Sequence, residues 1–470
     1  MKVHFIAIGG SVMHNLALAL YLKGDEVSGS DDEIFEPARG RLEKFGILPE
    51  KEGWFAERIT DELAAVILGM HAKEDNPELI RARELNLKIY SFPEFLCDHA
   101  SDKKRVVIGG SHGKTTITAM IMHVLNDHGV DFDYMVGAQL KGFDVMVRLS
   151  EKAPLMIFEG DEYLTSALDR RPKFHLYKPH IAVISGIEWD HMNVFPTKEN
   201  YIRQFEIFCE LIEAGGKLIY YQEDELVRKT LDSAAISIEK IPYGLPPHEV
   251  LGGKVFLSYD GRGYGISVFG KHNLLNLQAA RLVCNQLGIE DQAFYQSIQS
   301  FEGAAKRLEL LGENKYTSVF KDFAHAPSKL RATVEAVKSR NPGRKLTAVM
   351  ELHTYSSLNK DFLSEYQGTM NLADEAIVFY NPHAFEIKKL PFLEQQDVKT
   401  GFGREDVEIF HDSKDLSDFL LSKDWKNHNL LMMSSGDFGG LDLNKLPGAL
   451  LEQKKRTEVL LNLCNLQSAG

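Results

Sequence analysis

At 470 residues the chain is too long for a single core, and about three domains is the expected number. Hydrophobic residues at 44% and charged residues at 26% are ordinary for a soluble globular protein, and no apolar run approaches the ~20 residues of a membrane span. A net charge of −13 argues against nucleic acid or an anionic membrane as the main partner, so an anionic substrate would need local positive groups.

The first hundred residues alternate short apolar strands with polar helices. Val3–Ile8 is predicted as a strand, Gly9-Gly10-Ser11 as a turn into a helix carrying Leu16, Ala19 and Leu20, and Glu26–Ser30 as a second strand ending at Asp31. Ala64–Leu68 and Leu87–Tyr90 read as two more. Alternation of this kind implies a parallel sheet with ligands beyond the carboxyl ends of its strands. The Gly9-Gly10 turn and the acid some twenty residues on are similar to a nucleotide-binding βαβ unit, although Ala7 and Val12 occupy glycine slots of G-x-G-x-x-G. A tight turn beside a solvated Asp31 is the alternative. The N-terminus enters a strand directly, without a signal peptide's long apolar core.

After a charged stretch from Asp98 to Arg105, the β-branched run Val106–Ile108 reads as a buried strand. It is followed by Gly109, Gly110, Ser111, His112 and then Gly113-Lys114-Thr115-Thr116 at the start of a predicted helix. Glycines let backbone N–H groups close on a phosphate, and the helix N-terminus adds partial positive charge. Lys114 can reach the outer phosphates and the Thr115 hydroxyl can hold Mg²⁺. Ile108 stands where G-x-x-x-x-G-K-S/T has its first glycine, so an ordinary strand–turn–helix is the alternative; it leaves the lysine and two threonines unexplained.

Two acidic clusters follow strands of this segment: Glu159-Gly160-Asp161-Glu162 after Leu155–Phe158, and Glu188-Trp189-Asp190-His191 after His180–Ile184. In a parallel sheet both would lie at the edge that carries the phosphate loop, where carboxylates and a neutral imidazole could bind a divalent metal; helix capping or solvation is the alternative. Gly252–Val268 reads as a small antiparallel excursion. Asn273 and Asn276 lie three apart on one predicted helix face and could present amides to one ligand, or cap the helix after Gly270. A third α/β unit begins near Gly303, with strands at Ser318–Phe320, Leu346–Met350, Ala376–Phe379 and Asn429–Met433. It carries Arg307 and the polar turn Asp322-Phe323-Ala324-His325. Leu450 to Leu463 reads as a helix. Cys97, Cys209, Cys284 and Cys464 form no C-x-x-C pair, which points to reduced thiols in a cytoplasmic protein rather than disulfides or a zinc site.

In this order the segments resemble the Mur ligase family, ATP-dependent amide-forming enzymes of peptidoglycan synthesis. GGSHGKTT resembles the family's G-T-x-G-K-T-S/T loop, FEGDE and GIEWDHMNVF resemble its E-A-D-E and N-x-E-x-D-H-x-D segments, GKHNLLN resembles G-x-H-N-x-x-N, and KDFAHAP resembles D-D-Y-A-H-x-P. The resemblance spans nearly the whole chain. It implies an α/β protein of three domains: a Rossmann-like UDP-substrate domain over 1–100, a central P-loop-type ATP-binding domain over 101–302, and a Rossmann-like C-terminal ligase domain over 303–470.

By the same resemblance, Gly110, Ser111, His112, Gly113, Lys114, Thr115 and Thr116 would hold the ATP phosphates, with Lys114 on the transferring phosphoryl group. Thr115, Glu159 and His191 would serve Mg²⁺, Asn273 and Asn276 would face adenine, and Gly9, Gly10, Ser11 and Asp31 would lie near the UDP end of the substrate. His191, Arg307, Asp322 and His325 would join Lys114 in catalysis. Two branches of the family use the UDP-N-acetylmuramate carboxylate, one adding L-alanine and the other, the murein peptide branch, adding recycled L-Ala-γ-D-Glu-meso-diaminopimelate. VSGSDDEIFEP, EGDEYLTSALDRRPKF, KRLELLGE and SSGDFGG are more similar to the second, so peptide ligation in peptidoglycan recycling is the implied function. L-Alanine addition, or a nucleotide-binding regulator that has lost ligation, are the alternatives. Lys321 and Ala326 depart from the third-domain motif. Glu351-Leu352-His353-Thr354-Tyr355 matches neither Q-P-H-R-Y of the first branch nor E-P-R-S-N of the second.

Overall fold

The computed structural model describes residues 1–70, 72–190, 192–234, 236–251, 253–304 and 307–451. His191, most of the predicted tail helix and Cys464 therefore lie outside the described residues. Within them the chain forms two compact units, one of 1–189, 194–246 and 275–304, the other of the described parts of 190–193, 247–274 and 305–470.

The first unit contains two sheets. Strands β1 (Lys2–Ile6), β2 (Glu26–Ser30), β3 (Ala65–Leu68) and β4 (Ile89–Ser91) form a parallel sheet in the order β2-β1-β3-β4. β1 ends two residues earlier than its apolar run suggests. Ala7 adopts φ +68°, and the N–H groups of Ala7 and Ile8 both turn to the Ser30 carbonyl, at 2.9 and 3.1 Å. The second sheet comprises β5 (Lys104–Gly109), β6 (Asp133–Met135), β7 (Val147–Arg148), β8 (Leu155–Glu159), β9 (Ile181–Ile184), β10 (Lys217–Tyr221) and β11 (Glu239–Tyr243). Its order is β11-β10-β9-β5-β8-β6-β7, parallel except for β6–β7. The central strands β5, β8 and β9 are the apolar runs legible in the sequence; short or half-exposed strands such as β7 and β11 carry no such signal.

One core runs under both sheets, including Phe5, Leu16, Phe158, Phe174, Phe205 and Phe208. The helix Lys198–Glu210 buries Tyr201, Phe205, Phe208 and Cys209, a single face at i, i+4, i+7 and i+8. Thr197 caps it by accepting from the Asn200 N–H at 3.2 Å, and Phe208 stacks on Phe174 at 4.6 Å between centroids. Each buried phenylalanine contributes about 1.5–3 kcal/mol. That anchoring fixes Tyr201, which the site uses.

In the second unit β12 (His248–Leu251), β13 (Lys254–Tyr259) and β14 (Arg262–Ile266) form an antiparallel sheet, as the glycine-rich β-forming stretch suggests. β15 (Glu309–Glu313), β16 (Ser318–Asp322), β17 (Lys345–Glu351), β18 (Glu375–Phe379), β19 (Glu408–Phe410) and β20 (His428–Met433) form a six-stranded sheet in the order β15-β16-β20-β17-β18-β19. Only β15 is antiparallel, so the ends of β16, β20 and β17 share one carboxyl edge. Cys97, Cys209 and Cys284 are free thiols, and burial pushes the Cys209 thiol up to about 12. No helix among the described residues is long and apolar enough to cross a membrane.

Candidate active site

Strand β5 delivers the glycine-rich turn to the carboxyl edge of the central sheet, with β8 on one side and β9 on the other. Gly110 and Gly113 adopt φ +125° and +79°, conformations that favour glycine. A Cβ on Gly110 would overlap the Ser185 hydroxyl and sit 2.9 Å from the Ser185 nitrogen, and one on Gly113 would overlap the Asn276 carboxamide. The turn is therefore a bare backbone cradle walled by Ser185 and Asn276. The Ser185 hydroxyl donates to the His112 carbonyl, pinning the loop from β9. The helix Lys114–Asp127 starts directly after Gly113, so its free N–H groups open onto the same place.

Lys114 is the charged centre of this cradle. Its ammonium donates to the Gly110 carbonyl at 2.8 Å and to Glu162 Oε2 at 2.6 Å. Burial works against the lysine charge, but Glu162, Asp161 and Glu159 outweigh it and hold the ammonium above its ordinary value. Glu162 is 1% exposed and also accepts from the Tyr201 hydroxyl at 3.1 Å. Tyr201 in turn meets the Ser111 hydroxyl at 2.8 Å, and Ser111 Oγ accepts the Glu188 N–H at 2.8 Å. Glu162 was visible in its acidic cluster; its pairing with Lys114 and the part played by Tyr201 had no sequence signal, because each joins distant segments.

Beside the lysine, the Thr115 hydroxyl donates to Glu159 Oε1 at 2.8 Å, while Glu159 Oε2 accepts the Gly137 N–H at 2.7 Å. Thr116 is buried in the first turn of its helix. A hydroxyl and a carboxylate are hard oxygen donors of the kind Mg²⁺ takes, and the glycine cradle with its partly buried lysine suits a polyphosphate. No cluster of three or more His, Cys, Asp or Glu residues suited to a metal occurs among the described residues. Asn276 borders the cradle, whereas the Asn273 amide donates to the Phe269 carbonyl at 2.9 Å.

At the N-terminal sheet, the Gly9 N–H donates to Asp31 Oδ2 at 2.7 Å and the Asp32 N–H to Asp31 Oδ1 at 3.0 Å. Gly10 precedes the helix Ser11–Lys23 and accepts from the His14 N–H at 3.0 Å. Asp31 is 4% exposed, and burial pushes its carboxyl up to about 6 despite those donors.

In the second unit, Asp322 ends β16 and is buried. Its carboxylate accepts the Leu308 and Ala324 N–H groups at 2.5 and 2.6 Å. Burial raises its pKa, opposed by the Arg307 guanidinium, which lies 4.7 Å over the Phe323 ring. The His325 imidazole is pushed down to about 3 by burial and by the Lys329 cation, against Asp190, which pairs with Lys329 at 3.7 Å. His325 is thus a neutral ring at physiological pH. Next along this edge, Glu351 ends β17 at 2% exposure. One of its oxygens, Oε2, accepts from the Ser434 hydroxyl and, at 2.9 Å, from the Phe438 N–H.

Residues 108–284 match the Mur ligase middle domain and residues 2–104 the Mur ligase family catalytic domain. A UDP-N-acetylmuramate–L-alanine ligase of Paenarthrobacter aurescens is 30% identical over 387 residues, covering 80% of this chain and 82% of that one. Among solved structures, a UDP-N-acetylmuramate–alanine ligase of Thermotoga maritima superposes with a TM-score of 0.68 at 20% identity, covering 97% of this chain and 100% of its own. A murein peptide ligase of Psychrobacter arcticus gives 0.65 at 22%, covering 96% and 98%.

Proposed function

The chain belongs to the Mur ligase family, whose members are ATP-dependent amide-forming ligases, and we propose that it joins the carboxylate of UDP-N-acetylmuramate to the amine of L-Ala-γ-D-Glu-meso-diaminopimelate. The observation that carries the ligase reading is the partly buried Lys114, fixed between the Gly110 carbonyl and Glu162 at the mouth of a glycine cradle. The peptide as amine rests on the segments VSGSDDEIFEP, EGDEYLTSALDRRPKF, KRLELLGE and SSGDFGG.

A free carboxylate is a poor acylating agent, and converting it to an acyl phosphate makes phosphate the leaving group. Gly110 to Thr116 hold the phosphates through backbone N–H groups, and Lys114 exchanges Glu162 for the transferring phosphoryl oxygens, whose developing charge it offsets. Thr115 and Glu159, with His191, would hold Mg²⁺, which supplies further charge compensation on the phosphates. Asn276 faces the nucleotide from the cradle wall, and Asn273 serves beside it on the same helix. Gly9, Gly10, Ser11 and Asp31 receive the UDP end, where Asp31 is pre-oriented by the Gly9 N–H. Arg307, Asp322 and His325 are assigned to catalysis on the family resemblance. Asp322 fixes the backbone next to Arg307 by accepting the Leu308 N–H. The reading carries a cytoplasmic location.

Addition of L-alanine is the second reading, favoured by the names of relatives at 27–30% identity. Phosphate release with ATP, Mg²⁺ and UDP-N-acetylmuramate separates the two. Release with the tripeptide and not with L-alanine is expected; release with L-alanine alone transfers the enzyme to the synthetic branch, and ATP binding without either refutes ligation.

A further inference from the structure

The carboxyl edge of the six-stranded sheet holds a pair that the reading above does not use. Glu351 Oε1 lies 3.7 Å from Nδ1 of His353. Its other oxygen is already committed to Ser434 and Phe438, so the carboxylate is fixed by the turn after β20 and has one oxygen left for the imidazole. The approach depends on Gly436, where a Cβ would fall 2.8 Å from His353 Nδ1 and 2.9 Å from Glu351 Oε2. The pair adjoins the Asp322–His325 turn, because the Ser434 N–H donates to the Asp322 carbonyl at 3.0 Å. His353 remains half-exposed at 45%, whereas His325 is partly buried, with Nδ1 turned to the Phe323 carbonyl at 2.9 Å. Of these two imidazoles, His353 is the one open to a proton from outside.

We propose that His353 is the base that deprotonates the incoming amine, and that Glu351 is its positioning residue; this rests on the ligase reading. An amine at neutral pH arrives as an ammonium and has no lone pair for attack. Nε2 of neutral His353 takes one proton, giving a free amine and an imidazolium that the fixed Glu351 carboxylate stabilises. The amine nitrogen then bonds to the acyl carbon, the bond from that carbon to the phosphate oxygen breaks, and the second amine proton leaves as hydrogen phosphate. Glu351 also selects the tautomer, since an Nδ1–H facing its oxygen leaves Nε2 as the acceptor. The two groups act together here. The L-alanine branch pattern has the histidine with a glutamine, and the peptide branch has the glutamate without the histidine.

Hydroxylamine provides the test, because it is largely neutral at pH 7 and traps the acyl phosphate as a hydroxamate without a base. Wild type, His353→Gln and Glu351→Gln are assayed with ATP, Mg²⁺ and UDP-N-acetylmuramate, using hydroxylamine or whichever of tripeptide and L-alanine supports turnover. His353→Gln is expected to lower kcat for amide formation about 100-fold, with amine KM and hydroxamate formation near wild type. Glu351→Gln keeps both acceptor contacts but loses the charge, and is expected to lower kcat about 10-fold with the same unchanged hydroxamate rate. Partial restoration of amide formation in His353→Ala by added imidazole supports the assignment. The proposal is overturned if amide and hydroxamate formation fall together, which marks a structural role, or if neither falls. Wild type that yields neither ADP nor hydroxamate overturns the ligase reading itself, before any variant is made.

Discussion

Replacing Lys114 by methionine separates what the lysine does for stability from what it does for chemistry. The stem keeps its length while the charge goes. Glu162, 1% exposed, then loses the ammonium at 2.6 Å and keeps the Tyr201 hydroxyl at 3.1 Å. Removing one partner of a buried pair costs about 3–5 kcal/mol, because the other charge is left uncompensated. For a unit of this size that is a fall of roughly 6–20 °C in the first unit's melting transition. In the double variant Lys114→Met/Glu162→Gln neither member of the pair is charged, and a glutamine still accepts from Tyr201. Most of the loss should return, giving a coupling of at least about 2 kcal/mol between the two sites. Phosphate release should not return. The lysine's charge is absent from the phosphoryl transfer in both variants, a loss of about 100- to 1000-fold or more. Urea unfolding of the four proteins in the cycle, beside phosphate release, measures both. A single variant within about 1 kcal/mol of wild type, or a double variant with restored turnover, refutes this account of the pair.

Gly110→Ala forces a Cβ onto Ser185 at a backbone φ of +125°, and overpacking of this kind costs about 1–3 kcal/mol; titration with a fluorescent ATP analogue should show weakened binding, and unchanged affinity would place the nucleotide elsewhere. Asp31 titrates near 6 in the folded chain against an ordinary value of 3.8. The folded state therefore holds the proton more tightly, and ionisation withdraws stability as pH rises from about 4 through about 6. Asp31→Asn should gain on wild type in urea midpoint across that window, and an equal difference at pH 4 and pH 7.5 would contradict the burial argument. His325, held near 3, has the opposite sign: the unfolded state takes up its proton first, so stability is lost as pH falls below about 6.5. Its NMR ring shifts should stay those of a neutral imidazole from pH 7.5 down to about 4.5; titration near 6.5 would sink the assignment.

Much of this molecule was legible in its sequence because the signals are local. Buried parallel strands such as β5, β8 and β9 are apolar on both faces, so Val106–Ile108, Leu155–Phe158 and Ile181–Ile184 stand out as runs. A glycine-rich turn followed by Lys114 and Thr115 stands out because each residue's contribution is made by its own backbone or side chain. Five such segments in order identified the family. Tertiary structure decided what depends on neighbours distant in the chain. Glu162 and Tyr201 reach Lys114 and Ser111 only once β8 and the helix Lys198–Glu210 are set against β5. Asn273 and Asn276, equivalent by helical spacing, part company because one meets the Phe269 carbonyl and the other the Gly113 cradle. Glu351 and His353 are neighbours by sequence, but the turn after β20 makes them a fixed pair: it commits one carboxylate oxygen through Ser434 and Phe438 and offers a bare Gly436 at the point of closest approach. Spacing along a chain sets which side chains share a face; charge, burial and proton position depend on what the fold brings against that face.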